Sequence, residues 1–95
     1  MKLLSVEKST KPGKKLMAVF KTDAGRTRTT HFGAANMDDY TLTHDREQRE
    51  RYRTRHQKDL NTGDATKAGY LSYYILWNKP TIAASIRDYK KRFNL

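Results

Sequence analysis

Tyr70-Leu71-Ser72-Tyr73-Tyr74-Ile75-Leu76-Trp77 is the best apolar run in this chain. It closes a predicted helix over 66–77 that is aromatic or aliphatic on nearly every side. A helix without a polar face belongs in the interior, so this segment is the expected centre of the fold. Eight residues are far too few to cross a membrane. Downstream, Asn78-Lys79-Pro80-Thr81 breaks the helix, and Pro80 suits the first turn of the next one, predicted over 80–93. There Ile82, Ile86, Tyr89 and Phe93 share a face. Lys90, Lys91 and Arg92 stand near the C-terminal end, where cations suit the helix dipole.

Upstream of the run, 59–64 reads as a polar loop around Gly63. A helix is expected over 43–58, with Thr43 as its N-cap and Asp45 and Glu47 in its first turn. Asp45–Arg49, Arg46–Glu50 and Glu47–Arg51 stand four apart, each pair contributing a few tenths of a kcal/mol. Little of this helix is apolar; Asp45, Arg49, Tyr52 and His56 form its one aromatic-bearing stripe. Gly33 to Leu42 reads as an irregular loop. The first third reads as strands. Leu3, Leu4 and Val6 lie in 2–9, and Leu16, Met17, Val19 and Phe20 in 15–22. In 26–32 threonines alternate with Arg26 and Arg28. Turns at Pro12-Gly13 and Asp23-Ala24-Gly25 join them. The expectation is one small basic domain over 1–95 of α+β class. A three-stranded antiparallel meander (about 2–32) packs with about three helices (about 43–58, 66–77 and 80–93).

Twenty Lys and Arg against ten Asp and Glu give a net charge of +10. That makes polyanions the first partners to consider: nucleic acid, anionic lipid or an acidic protein face. The first 32 residues hold eight basic and two acidic groups, 33–60 six of each, and 61–95 six and two. The surplus is thus at both ends of the chain, and only folding brings it together. No cysteine is present, so disulfides and thiolate metal sites are excluded and an intracellular site of folding is natural. The first residues lack the apolar run of a signal peptide.

No catalytic constellation emerges. His31, His44 and His56 form no metal-binding pair, and a metal would need Asp38, Asp39 or Asp45 as well. Those carboxylates beside His44 also admit a metal-dependent nuclease, but adjacent carboxylates more often serve a turn and a helix cap. No nucleophile motif, phosphate-binding glycine loop or dinucleotide fingerprint occurs, so no cofactor or small-molecule substrate is expected. Lys8, Lys11, Lys14, Lys15 and Lys21 gather around the first hairpin, with Arg26 and Arg28 on the third strand. They either grip phosphates or guard the sheet edges. The Asp45–Arg49–Tyr52–His56 stripe either fixes the helix against His31-Phe32-Gly33 or presents Arg and His to a ligand. The first is favoured, because Asp and Arg four apart satisfy each other.

One further pattern runs through the chain: His31-Phe32-Gly33, Asp39-Tyr40-Thr41, Arg49-x-Arg51-Tyr52-x-x-Arg55-His56, Ala68-Gly69-Tyr70-Leu71-Ser72 and Leu76-Trp77-Asn78-Lys79-Pro80-Thr81. Over roughly residues 29–89 it resembles a family of small basic proteins encoded by large double-stranded DNA viruses of algae and amoebae, catalogued as of unknown function. The Trp-Asn-Lys-Pro-Thr end is its most specific part. Asn36 stands where that family usually has Gly, and Asn too tolerates the left-handed conformation. Thr43, with His44 beside it, replaces a His before the helix, and Tyr73-Tyr74 replaces a basic–Trp pair.

The resemblance implies a virion protein made in the host cytoplasm or viral factory. The expected function is non-enzymatic: a minor capsid or core component that binds acidic capsid-protein or DNA surfaces. Lys11, Lys14, Lys15, Arg26, Arg28, Arg51, Arg55, Lys90, Lys91 and Arg92 are the expected contacts. The alternatives are a sequence-nonspecific, genome-condensing DNA-binding protein and, behind it, the nuclease.

Overall fold

Alternating apolar and polar residues, punctuated by glycine turns, set the first third as strands. The computed structural model describes residues 1–95 and has β1 over Lys2–Lys8, β2 over Lys14–Lys21 and β3 over Thr27–Ala34. They form one antiparallel sheet in the order β1-β2-β3, the expected meander. In β2, Ala18 and Phe20 are buried and Leu16 packs beside them, while Met17 and Val19 take the more open face. Strict alternation would turn Leu3 and Val6 to opposite faces. A bulge at Leu4 prevents this. Leu3 pairs opposite Phe20 and Val6 opposite Ala18, both join the core, and Leu4 is left exposed.

The remainder is helical: α1 (Tyr40–Thr43), α2 (Arg46–His56), α3 (Ala68–Leu71) and α4 (Ile82–Phe93). A 3₁₀ turn over Gln57–Thr62 continues α2, so part of the predicted polar loop is helical. A π-helical turn over Ser72–Leu76 continues α3 and ends with the Trp77 N–H donating to the Ser72 carbonyl at 3.2 Å. The apolar run is indeed central. Leu71, Ile75, Leu76 and Trp77 pack against Leu3, Ala18, Phe20 and Phe32 of the sheet, with Tyr40 and Tyr89 closing the cluster. On α4, Tyr89 is fully buried and Ile82, Ile86 and Phe93 half-buried on the same side. The Tyr89 hydroxyl donates to the Ala65 carbonyl at 2.6 Å.

Two helix starts differ from expectation. Thr43 ends α1 instead of opening a long helix. Asp39 caps α1 by accepting from the Thr41 N–H, and His44 at φ 55° closes it. Asp45 therefore becomes the cap of α2, accepting from the Gln48 N–H at 3.1 Å, while the Thr43 hydroxyl accepts from the Asp45 N–H. Similarly Thr81, not Pro80, marks the start of α4: its hydroxyl accepts from the Ala84 N–H at 3.1 Å, so Pro80 precedes the cap. Asn36 does adopt the left-handed conformation, at φ 68°.

Gly33 is where the sheet meets the helical layer. Its φ is 77°, and a Cβ there would lie 2.7 Å from Leu76 Cδ1 and 3.2 Å from Lys15 Cβ. Both the backbone angle and the contact exclude a side chain. Gly33→Ala should therefore lower the unfolding free energy by about 2 kcal/mol, read as an earlier urea midpoint. An unchanged midpoint would show that the sheet and the π-turn do not approach this closely.

Candidate functional site

Helix α2 buries no residue completely, so something other than an apolar stripe must hold it. At about 100° per residue, its side chains fall into three columns: Arg49 with Arg53, Tyr52 with His56, and Arg51 with Arg55. The first column docks the helix. Arg53 donates to the Trp77 carbonyl at 2.9 Å and, at 3.4 Å, to that of Tyr73, and its guanidinium lies 4.1 Å from the Tyr73 ring centre. Arg49 donates to the Asn78 carbonyl at 3.1 Å and lies 4.7 Å from the centre of the Tyr40 ring. Helix ends leave carbonyls without intrahelical partners, and here arginines supply the donors. The second column stacks. Tyr52 lies on Trp77 at 4.3 Å and 10°, and His56 on Tyr52 at 4.2 Å and 23°. Burial pushes the Tyr52 phenol above its usual range; a hydrogen bond with Ser72 works against that and the charge of Asp59 adds to it.

Both the sheet, through Gly33, and α2, through Trp77, rest on the same π-turn. Between them lies a groove of about 760 Å³. Lys14, Gly33 and Met37 stand on the sheet side, Arg51, Arg55 and His56 on α2, and Ser72, Leu76 and Trp77 at the base. Asp38 and Asp59 also line it, and Asp59 is hydrogen-bonded to His56 Nδ1 at 3.0 Å. Lys14, Arg51 and Arg55 are exposed and have no acidic partner within 4 Å.

The predicted stripe is divided. Asp45 caps α2 and does not pair with Arg49, whose nearest carboxylate is Glu50 at 3.0 Å. Nor do Arg46–Glu50 and Glu47–Arg51 form ion pairs, because the side chains turn to other partners or to solvent. The helix is fixed to Trp77 and Asn78 and not to His31-Phe32-Gly33. His31 Nδ1 instead lies 2.7 Å from the Ser9 hydroxyl, and Phe32 is core. Asp39, only 1 % exposed, joins Lys15 at 2.5 Å and accepts from the Thr41 amide and hydroxyl. Lys15 is thereby taken from the expected partner surface. Arg92 pairs with Asp88 at 3.3 Å and lies 5.0 Å from the Tyr74 ring centre. Arg28 reaches Asp64 only at 4.0 Å.

The hairpin cations also separate. Lys11 lies in the β1–β2 turn and Lys14 opens β2 beside it, whereas Lys21 and Arg26 lie at the opposite end of the sheet. At that far end Lys2 pairs in register with Lys21, and the Leu3 N–H donates to the Leu95 carbonyl at 3.2 Å. This places Lys2 with Arg87, Lys90 and Lys91 around a shallow depression lined by no acidic side chain. The surplus charge from both ends of the chain does meet there. Sequence reading misses Arg53, Lys2 and Arg87. The four-residue spacing of Arg49 and Arg53 is the one signal for the first, and no local signal marks the other two.

Taken as a class, this is a small α+β protein with an open three-stranded sheet and a basic groove beside a polar helix. Residues 4–56 match a family described as a family of unknown function (DUF5754), more than half of the chain, and the protein belongs to that family. The matched span includes all of the sheet except its first two residues, the Asp39 cap and all of α2, but stops before the π-turn on which α2 docks. No curated protein and no solved structure matches the chain.

Arg53→Ala should cost about 2 kcal/mol of stability, because two carbonyls lose a charged donor. Arg51→Ala, facing the groove, should change stability by less than about 0.5 kcal/mol. Urea unfolding of both variants measures the contrast, and equal effects would mean that Arg53 does not secure α2.

Acid sensitivity follows in part from two of the lowered carboxyls, Asp64 and Asp88. Thr66 donates its hydroxyl and its amide to Asp64, holding that carboxyl below its usual range despite burial, with the charges of Arg28 and Lys67 adding to the effect. At Asp88, burial works upward but is outweighed by hydrogen bonds from Arg92 and Asn78 and by the charges of Arg92 and Lys79, so this carboxyl is lowered too. The unfolded chain binds these protons at higher pH than the folded one. Their stabilisation is therefore complete well above about pH 4 and is lost as pH falls through the lowered folded values. Melting temperature should drop below about pH 4, and Asp88→Asn should make that drop shallower; an identical acid limb in the variant would remove Asp88 from the account.

Proposed function

We propose that this protein is a non-enzymatic structural component of a large double-stranded DNA virus particle. On this reading it is a minor capsid or core protein that ties acidic surfaces together. The observation that carries the reading is the gathering of seven exposed cations without acidic partners at two separated places. Lys14, Arg51 and Arg55 face the groove at one end of the sheet, and Lys2, Arg87, Lys90 and Lys91 surround the depression at the other. Lys14 and Lys21 bound the eight-residue β2, and the strand rise sets the two ends about 23 Å apart. Cations on one face favour adhesion to one surface; cations on two separated faces favour bridging. The viral setting is supported by the motif resemblance, and the partner chemistry by the net charge of +10. Acidic capsid or core subunits and DNA both satisfy that chemistry.

Bridging has a direct test. The full chain should cross-link polyanion-coated beads at low salt, and the effect should weaken steeply as salt rises. Two triple variants, Lys14→Ser/Arg51→Ser/Arg55→Ser and Lys2→Ser/Lys90→Ser/Lys91→Ser, should each still bind single beads yet no longer cluster them. Clustering by either triple variant as efficient as the parent's would overturn the two-faced arrangement. In purified particles the protein should occupy fixed, symmetry-related positions, and particles without it would reject the placement.

A further inference from the structure

The three rings of the groove end in an open position. Trp77, Tyr52 and His56 stack in order at spacings of 4.3 and 4.2 Å. Trp77 is buried and anchors the inner end; His56, at the outer end, is part-exposed and lines the groove. No fourth ring lies against His56. Asp59 holds the imidazole at its Nδ1 edge, which fixes the plane of the ring without covering its face. Arg51 and Arg55 stand beside this platform on α2, and Lys14 stands on the sheet side.

An aromatic face beside cations that have no acidic partner is the chemistry that single-stranded nucleic acid requires. Bases stack on the ring, and the phosphates on either side meet lysine and arginine. An acidic peptide would use the cations but leave the ring face without a planar partner. Duplex DNA keeps its bases within the stack and would likewise use only the cations. The asymmetry of the groove, an anchored three-ring column with one free end, therefore favours a partner that carries both planar and anionic groups.

We infer that the groove between α2 and the sheet binds single-stranded nucleic acid, with one unpaired base continuing the Trp77–Tyr52–His56 stack and its flanking phosphates held by Arg51, Arg55 and Lys14. This deepens the proposed anion-binding role of that face and rests on it. Stacking is tolerant of base identity, so the site reads single-strandedness and not sequence.

The test compares a fluorescently labelled single strand with an abasic strand of the same length, a duplex, and polyglutamate, each titrated with the full chain. The ordinary strand should bind about five- to tenfold more tightly than the abasic one. His56→Ala should weaken the ordinary strand more than the abasic one and so narrow that difference, and His56→Phe should restore it. Arg51→Ser/Arg55→Ser should weaken both strands alike. Equal binding of ordinary and abasic strands by the parent protein would overturn the inference, as would equal losses for both strands in His56→Ala. Preference for duplex or polyglutamate would overturn it too, while sparing the broader reading of this face as anion-binding. No binding to any of the four would reject both.

Discussion

The donation of Arg49 and Arg53 to the carbonyls of Tyr73, Trp77 and Asn78 sets the rest of the architecture. Helix α2 brings no fully buried side chain to the core, so apolar burial alone cannot dock it. Hydrogen bonds from a charged donor contribute about 1.5–3 kcal/mol each where they are shielded, and an aromatic pair adds about 0.5–1.5 kcal/mol. A handful of such contacts can hold one short helix where an apolar stripe is missing. They also determine where it is held. The two closer carbonyls, of Trp77 and Asn78, lie just past the C-terminal end of the π-turn, so α2 is anchored at that end and stands off from the sheet. The groove results from this mode of attachment. Leucines in place of the two arginines would still meet the Tyr40 and Tyr73 rings but would leave those carbonyls without donors.

The angular arrangement on α2 explains how one arginine-rich helix serves both structure and surface. Arg49 and Arg53 lie within about 40° of each other, and Arg51 and Arg55 form a second column roughly opposite. Tyr52 and His56 fall between them. On the proposed reading, an anion in the groove would engage the second column without competing for the first, so its binding need not loosen the helix that forms the wall. The aromatic column connects the two, as Tyr52 rests on core Trp77 while His56 reaches the groove.

Much of the fold was legible because it follows from short-range patterns. The strands came from alternation and threonine content, their joins from Pro12-Gly13 and Asp23-Ala24-Gly25, and the buried centre from the all-round apolar run ending at Trp77. Helix starts were harder, because several residues near each boundary can cap. Thr43, Asp45 and Asp39 all have side-chain acceptors; only the one-turn helix at Tyr40–Thr43 decides among them. The ion pairs expected four apart on α2 failed for a related reason. Local spacing offers partners, but tertiary carbonyls and rings offered Arg49 and Arg53 better ones. The bulge at Leu4 and the close approach at Gly33 depend on the facing strand and helix, which no local pattern reports.

The candidate surface was legible as a list of cations but not as an arrangement. Net charge counts Lys15 and Lys14 alike. They are adjacent, yet strand pleating turns one toward buried Asp39 and leaves the other exposed at the groove. Arg92 is likewise paired with Asp88, while neighbouring Lys90 and Lys91 have no carboxylate in reach. A buried pair such as Lys15–Asp39 contributes nothing to the field felt by a distant polyanion, because the two charges cancel at range. On the proposed reading, what acts on a partner is the set of cations left without local neutralisation, and seven of these gather in two groups, one toward each end of the sheet. Division matters more than total. A surplus concentrated on one face would draw a single polyanion tightly and shield it; two groups split by the length of a strand would, on that reading, leave cations directed at a second surface after the first is bound.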